Sequence, residues 1–355
     1  MQQLIAHKQP ADQVGLYEHF WTETIRDYWT SEGYPDKDLP PAEHFGYDME
    51  SMWPITDPGP LKGQEATLEE TEETRVFRNG YGAVCRYWKN KSGTPEHLDF
   101  TIKTRADWER VKGSLAAVDP TRIDLEAARE LLAKGRRTQR FTCFGFLFNI
   151  EVMRAMIGDF TMLTSLLLEP EWIHDICRAY TDFFKQHFAY VFREAGRPDG
   201  VWMYEDLGFR NGLFASPRTV RELLLPYYRE MVGFFKSDHG LPVLIHTCGD
   251  IREAVPIIIE AGFDCLQPME AKAGVDVLKL ADAYGNRLAY MGNIDVTVLN
   301  KNDRAKVREE VLRKMGGMIE RHLPYILHSD HSIPPDVRLE TYRYMLELHR
   351  EHGCY

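Results

Sequence analysis

"LPVLIHTCGDIREAVPIIIEAGFDCLQP", residues 241–268, reads as one strand, one helix and a second strand. Residues 241–246 are a short β-rich run, and Asp250 is a candidate N-cap for the helix that follows Cys248. Gly262 sits where a left-handed C′ residue would end that helix, and residues 263–268 form the next apolar run. A strand that returns through a helix to a neighbouring strand is a parallel, right-handed crossover.

Working outward, the same alternation recurs. "RFTCFGF" (140–146), "GVWMYE" (200–205), "RLAYMG" (287–292) and "PYILHS" (324–329) are further strand candidates. Residues 171–196, 216–240, 274–285 and 303–322 carry apolar positions at helical spacing, with Ser216-Pro217 as N-cap and N1 and with Gly240 and Gly285 at C′ positions. The fold class expected is α/β, either a doubly wound sheet or a (β/α)8 TIM-type barrel. The barrel is preferred because no Gly-rich phosphate loop opens the first unit, and "GYGAVC" (80–85) reads as a turn. Six strand candidates leave two to be found, and the irregular N-terminal third is where they are expected.

Up to about residue 120 the texture differs, with many Pro, Gly, aromatic and acidic residues. There Asn79-Gly80 lies between two strand-like runs and predicts a hairpin, because both residues tolerate positive φ. The expected organisation is therefore a helical and β-hairpin elaboration over 1–120 packed on the main part of the barrel over 121–355, as one structural unit.

The 355 residues are 44% hydrophobic and 27% charged, which is globular composition. A net charge of −11 argues against nucleic acid as a partner. No apolar run reaches the ~20 residues of a membrane span, and the first residues lack a signal-peptide layout, so a cytoplasmic protein without membrane contact is expected. The six cysteines are scattered, as reduced thiols are, and only Cys248 has a metal-binding neighbour at close spacing.

Barrels bind ligands at the carboxyl ends of their strands. The residues at those ends are Glu205 and Asp206, His246 and Cys248, Gln267 and Glu270, Asn293 and Asp295, and His328, Asp330 and His331. His246 and Cys248, two apart, would face one side of an extended strand end and could share an ion; the plainer alternative is a hydrogen-bonded histidine beside a buried thiol. "HSDHSIPPD" (328–336) brings more donors, His331 being the better third ligand and His328 reading as structural. Glu205 or Glu270 could supply an oxygen ligand or orient an imidazole. Phe146, Phe148, Trp202, Tyr204 and Phe209 are candidate ring lining for a substrate, or barrel core, and Arg210-Asn211 could hold an anionic group or lie on the surface.

These residues carry a family resemblance. Residues 244–295, followed by "DHSIPPDV" and a final amphipathic helix, with "YEDLGFRNGLFASPRTVRELLLPYYREMV" and "CFGFLFNIEVMRAMIGDFTMLTSLLLEPEWI" before them, resemble the uroporphyrinogen decarboxylase superfamily over roughly 140–350. The resemblance implies a (β/α)8 barrel, often a homodimer, with its pocket at the carboxyl ends of the strands. The decarboxylases of that superfamily are metal-free and grip an acidic tetrapyrrole with an N-terminal Arg-x-x-Gly-Arg-Tyr-type motif, which is absent here; Arg26 and Arg75 lie in other contexts. The other branch holds cobamide-dependent methyltransferases, which bind zinc through His-x-Cys and a residue after the last strand. His246 and Cys248 match, whereas His331 stands near the place of a third cysteine in thiol-methylating members. The implied cofactors are Zn2+ and a cobamide on a partner corrinoid protein, with a small methylated substrate. Zinc would activate either an acceptor thiol or, as a Lewis acid, the oxygen of a donor such as an aryl methyl ether, with Glu205 or Asp206 as general acid. A decarboxylase of an acidic substrate and a non-catalytic corrinoid- or tetrapyrrole-binding protein are the competing expectations.

Overall fold

A computed structural model describes residues 1–90 and 93–355. Eight strands form one sheet: β1 (Gly15–Leu16), β2 (Met49–Met52), β3 (Phe141–Leu147), β4 (Gly200–Tyr204), β5 (Val243–Thr247), β6 (Cys265–Pro268), β7 (Ala289–Met291) and β8 (Tyr325–Leu327). Their spatial order is β1-β8-β7-β6-β5-β4-β3-β2, with every neighbouring pair parallel. The two ends of that order meet at a seam. There Asp48 N–H donates to Leu16 O at 3.0 Å, Leu16 N–H to the Asp48 carboxylate at 2.7 Å, and Tyr17 Oη and Ser51 Oγ lie 2.7 Å apart. The result is a TIM-type α/β barrel whose two remaining strands both come from the N-terminal third. β1 is two residues long, too short for any periodicity to reveal it.

Helices cover the outside of the sheet, among them α1 (Leu125–Thr138), α2 (Asn149–Leu168), α3 (Pro170–Glu194), α4 (Leu225–Gly233), α5 (Val255–Ala261), α6 (Val277–Tyr284), α7 (Arg304–Val311) and α8 (Leu339–His352). α3 follows from its sequence: Pro170 opens it at N1, and Ile173, Ile176, Cys177, Tyr180, Phe184, His187, Phe188 and Val191 recur at helical spacing on the buried face. Ser216 caps the short helix Pro217–Leu223 by accepting from Thr219 N–H, as its sequence predicts. Asp250 does not cap α5, which begins at Val255 behind Ala254; its carboxylate grips the Arg252 guanidinium at 2.6 and 2.7 Å instead. One contiguous buried cluster runs from Leu4 to Leu348 and takes in residues from both the N-terminal third and the rest of the barrel. No helix among the described residues is long and apolar enough to cross a membrane.

The predicted hairpin exists within a four-stranded antiparallel meander, Ala66–Glu70, Thr74–Arg78, Ala83–Trp88 and Glu96–Phe100. Its turn is built differently from the expectation. The positive φ falls at Gly82 (+85°), and the Asn79 side chain closes the loop by accepting from the N–H groups of Tyr81 and Ala83. The meander docks on α2 where Gly158 breaks that helix with φ +75°; a Cβ there would stand 2.5 Å from the Phe100 ring.

Candidate metal centre

Strand register sets the level of each side chain. Tyr204 pairs with His246, and His246 pairs with Gln267, so three neighbouring strands present these residues on one inward layer. Tyr204 stacks on the His246 ring at 4.8 Å and 26°, while Trp202 and Trp53 lie 5.4 and 5.5 Å from Tyr204. Beneath them Trp202 meets Tyr17 and His19 at 5.7 and 5.3 Å. The Trp202 indole N–H is buried without a hydrogen-bond partner.

Above this layer the loops after β4 and β5 bring Asp206 and Cys248 to His246. One ligand atom from each of the three lies within 4.8 Å of the others, and this is the group of that kind among the described residues. His246 Nε2 is 3.3 Å from Cys248 Sγ and 3.6 Å from Asp206 Oδ1. The opposite ring nitrogen, Nδ1, lies 2.5 Å from Gln267 Oε1. Backbone groups hold the set together: Cys248 N–H donates to Asp206 Oδ1 at 2.8 Å, and Leu207 N–H to Thr247 Oγ1 at 3.0 Å. The two loops approach so closely that Gly208 and Gly249 are in backbone contact.

The donor set suits a divalent cation. It offers one imidazole, one thiol and one carboxylate, the mixture that borderline metals such as zinc accept. Burial, then the Asp206 and Glu270 carboxylates, hold the Cys248 thiol well above its ordinary pKa. A cation held among the sulfur and the two carboxylates would favour the thiolate.

The remaining predicted residues sort into two groups. His331 and Glu270 are at the mouth but outside the close triplet: His331 stacks on Trp21 at 5.9 Å, and Glu270 accepts from Gly249 N–H at 2.7 Å and meets Lys272 Nζ at 3.3 Å. Glu205 corrects the expectation that it faces the mouth. Strand alternation turns it toward the helices, where it accepts from Ile150 N–H at 3.0 Å and Tyr228 Oη at 2.6 Å, and burial pushes its pKa up to about 8. Phe146 also faces outward and packs against Phe184, Phe188 and Phe235; Phe148 packs on Phe184 and Tyr228. Both rings are core, each contributing about 2 kcal/mol by burial, and neither lines a pocket. Arg210 and Asn211 occupy the exposed turn of the small hairpin Gly208–Phe209/Gly212–Leu213, and Phe209 is 46% exposed against Phe214. His328 is buried inside the barrel, in keeping with a structural reading.

Sequence reasoning missed several groups at the mouth. Glu151 and Arg154 pair at 2.7 Å, and the same guanidinium reaches Asp206 Oδ2 at 3.8 Å. Burial, followed by the charge of Asp206, pushes Glu151 up to about 7. Glu151 lies just past β3, so the strand-end rule could have found it. His19 and Trp53 follow β1 and β2, the two strands that no pattern located.

Comparison with known proteins agrees with this architecture. A methyltransferase from Methanosarcina mazei superposes with a TM-score of 0.68 over 96% of this chain and 95% of its own, at 16% identity, which establishes a shared fold. Two uroporphyrinogen decarboxylases are related in sequence: that of Chlorobium chlorochromatii is 27% identical over 140 residues and that of Pelodictyon phaeoclathratiforme 29% over 141 residues. In each case the match spans 39% of this chain and 39% of the relative's length. The family model for uroporphyrinogen decarboxylase (URO-D) matches residues 86–352, well over half of the chain, and the protein belongs to that family.

Proposed function

We propose that this chain is a zinc-dependent methyltransferase that takes a methyl group from a small donor, an aryl methyl ether being the favoured class, for delivery to a corrinoid carried by a partner protein. The observation that carries the reading is the Asp206, His246 and Cys248 triplet at the carboxyl ends of the strands. Zinc held by these three residues would supply Lewis acidity at the heteroatom of the donor.

The chain's own residues account for the rest. Trp53, half exposed, and Tyr204 offer ring faces beside His246 against which a planar substrate can lie. Asp206 holds the Cys248 backbone and so fixes the loop that carries the sulfur. Glu151, with a pKa near 7, holds a proton at the mouth close to neutral pH and takes the general-acid role that Glu205 is turned away from. Arg154 pairs with both Glu151 and Asp206, which keeps the two carboxylates at one mouth.

Decarboxylation of an acidic substrate, the activity named for the sequence relatives, is the second reading. It needs unmatched positive charge in the pocket, whereas Arg154 faces Glu151, Asp159 and Asp206, and Lys272 faces Glu270. The test is metal analysis together with the spectrum of a cobalt(I) corrinoid during exposure to methoxyaromatics, methanol, methylamines and methylated thiols. About one zinc per chain and methylation of the corrinoid by a methoxyaromatic supports the proposal. No bound metal, with CO2 released from a porphyrinogen, overturns it.

A further inference from the structure

The barrel interior holds a line of polar side chains that neither reading above uses: His19, His328 and Gln267, ending on His246. Its members are close enough to fix one another's hydrogen positions. His328 Nδ1 lies within hydrogen-bonding distance of the Ser329 carbonyl oxygen. A carbonyl can only accept, so Nδ1 carries a hydrogen. Glu18 Oε1 stands 3.4 Å from His328 Nε2, which by distance would make an ion pair. Burial opposes both charges, however, pushing Glu18 up to about 8 and His328 down to about 3, so the pair is neutral at pH 7. A neutral imidazole with hydrogen on Nδ1 presents a bare lone pair at Nε2.

That lone pair decides the next step. Gln267 places one end of its amide 3.4 Å from His328 Nε2 and the other 2.5 Å from His246 Nδ1. Only the amide NH2 can face a lone pair, so the carbonyl oxygen faces His246. An acceptor at 2.5 Å requires hydrogen on His246 Nδ1, and this leaves His246 Nε2 with its lone pair toward Cys248 and Asp206. The direction of hydrogen bonding from His328 through Gln267 to His246 is thus set from the Ser329 carbonyl.

We propose that Gln267 is a positioning residue that locks His246 as its Nδ1–H tautomer, with His328 acting one step behind by fixing which way the Gln267 amide points. The proposal rests on His246 being a metal ligand for its functional meaning, but the tautomer itself requires no metal. Imidazole usually favours hydrogen on Nε2, so without the glutamine oxygen the nitrogen facing Cys248 would be the protonated one. A metal would then have to displace that hydrogen and turn the ring's hydrogen bonding over before binding.

The experiment reads the tautomer directly by long-range 1H–15N correlation of the histidine side chains in the metal-free full chain at pH above 7. The expected result is His246 protonated on Nδ1 and unprotonated on Nε2, with His328 in the same tautomer. His246 protonated on Nε2 in the wild-type chain overturns the proposal without any variant. Gln267→Leu is expected to switch His246 to the Nε2–H form and to weaken Co2+ binding, followed by its d–d spectrum, by about 10- to 100-fold. Gln267→Glu keeps an acceptor opposite His246 and is expected to retain the Nδ1–H form and most of the affinity. An unchanged tautomer in a folded Gln267→Leu chain overturns the proposal. If the tautomers behave as expected and the wild type binds no metal, the metal-site reading fails while this one stands.

Discussion

Gly249 and Gly208 meet backbone to backbone: a Cβ on Gly249 would lie 2.4 Å from the Gly208 carbonyl carbon. Gly249 also has φ +83°, a region that other residues reach at a cost. This contact lets the loop bearing Asp206 and the loop bearing Cys248 come together. Gly249→Ala is therefore expected to lose stability by about 2–3 kcal/mol, from strain plus displaced backbone, and to weaken Co2+ binding at least about tenfold. Gly63→Ala is the control. Gly63 has φ +85° with nothing within 4 Å, so its substitution should cost about 1 kcal/mol and leave metal binding unchanged. Thermal unfolding and Co2+ titration of both variants check the pair of outcomes.

Cys248 Sγ and His246 Nε2 stand 3.3 Å apart, with Asp206 Oδ1 3.6 Å from the same nitrogen. His246→Ala and Cys248→Ser should each reduce bound zinc from about one per chain to well below stoichiometric while the far-ultraviolet circular dichroism stays that of the wild type. Cys248→Ser should change stability by less than about 1 kcal/mol, because that side chain is only partly buried, whereas His246→Ala, which leaves the buried Gln267 Oε1 without its donor, should cost about 1–3 kcal/mol. His331→Ala separates the alternatives for the third ligand. With Asp206 in the close triplet and His331 on Trp21, His331→Ala should keep its zinc and Asp206→Ala should lose it. Metal content after gel filtration measures all four.

The barrel and half of the site were legible because their signals are local. Six strands announce themselves as apolar runs between helices with clear capping residues, and His246-x-Cys248 is readable because a two-residue spacing on a strand end has one geometric meaning. β1 was hidden because two residues have no period, and with it went His19, which lies three residues beyond its end at Leu16. Glu205 and Phe146 were misread for one reason: both end strands at the right level but on the outward face. Alternation places neighbours on opposite sides, so Tyr204 inward entails Glu205 outward, and the parity of a strand end matters as much as its position. Gln267 is polar at a strand end like many residues, and only its pairing with His246 across β5 and β6 shows its task.

Glu18 gives the protein a pH dependence with a defined sign. Its carboxyl is fully buried, accepts from Ser329 N–H at 2.9 Å, and titrates at about 8 in the folded chain against an ordinary 4.5. Below 4.5 both states hold the proton, and its contribution is constant. Between 4.5 and about 8 the unfolded chain has released that proton and the folded chain has not, so stability falls as pH rises, by up to about 1.4 kcal/mol per pH unit, and levels off above about 8. Glu18→Gln removes this term. Urea unfolding between about pH 5 and about pH 7.5 should show a shallower decline for the variant than for the wild type, and parallel declines would contradict a buried, protonated Glu18.

Phe146 and Trp53 are both aromatic and both near the carboxyl ends of the strands, yet they sit in opposite environments. Phe146 is fully buried between the sheet and α3, touching Phe184 and Phe188 with ring centroids at 4.8 and 5.0 Å. Phe146→Ala removes that packing and leaves a cavity that close-packed neighbours cannot fill, so it should cost about 3–5 kcal/mol. The KM of the surviving folded fraction for a methyl donor should not move, because no part of the ring reaches the mouth. Trp53 is 50% exposed, its ring 5.5 Å from Tyr204. Trp53→Ala should change stability by about 1 kcal/mol or less, yet raise the KM of a planar aromatic donor several-fold, since base-sized rings stacked on an indole gain about 1 kcal/mol or more from the contact. A methoxyaromatic and methanol make the comparison internal: loss with the first and not the second identifies Trp53 as the face that holds the ring, whereas equal loss with both would mean that Trp53 supports the loop rather than the substrate.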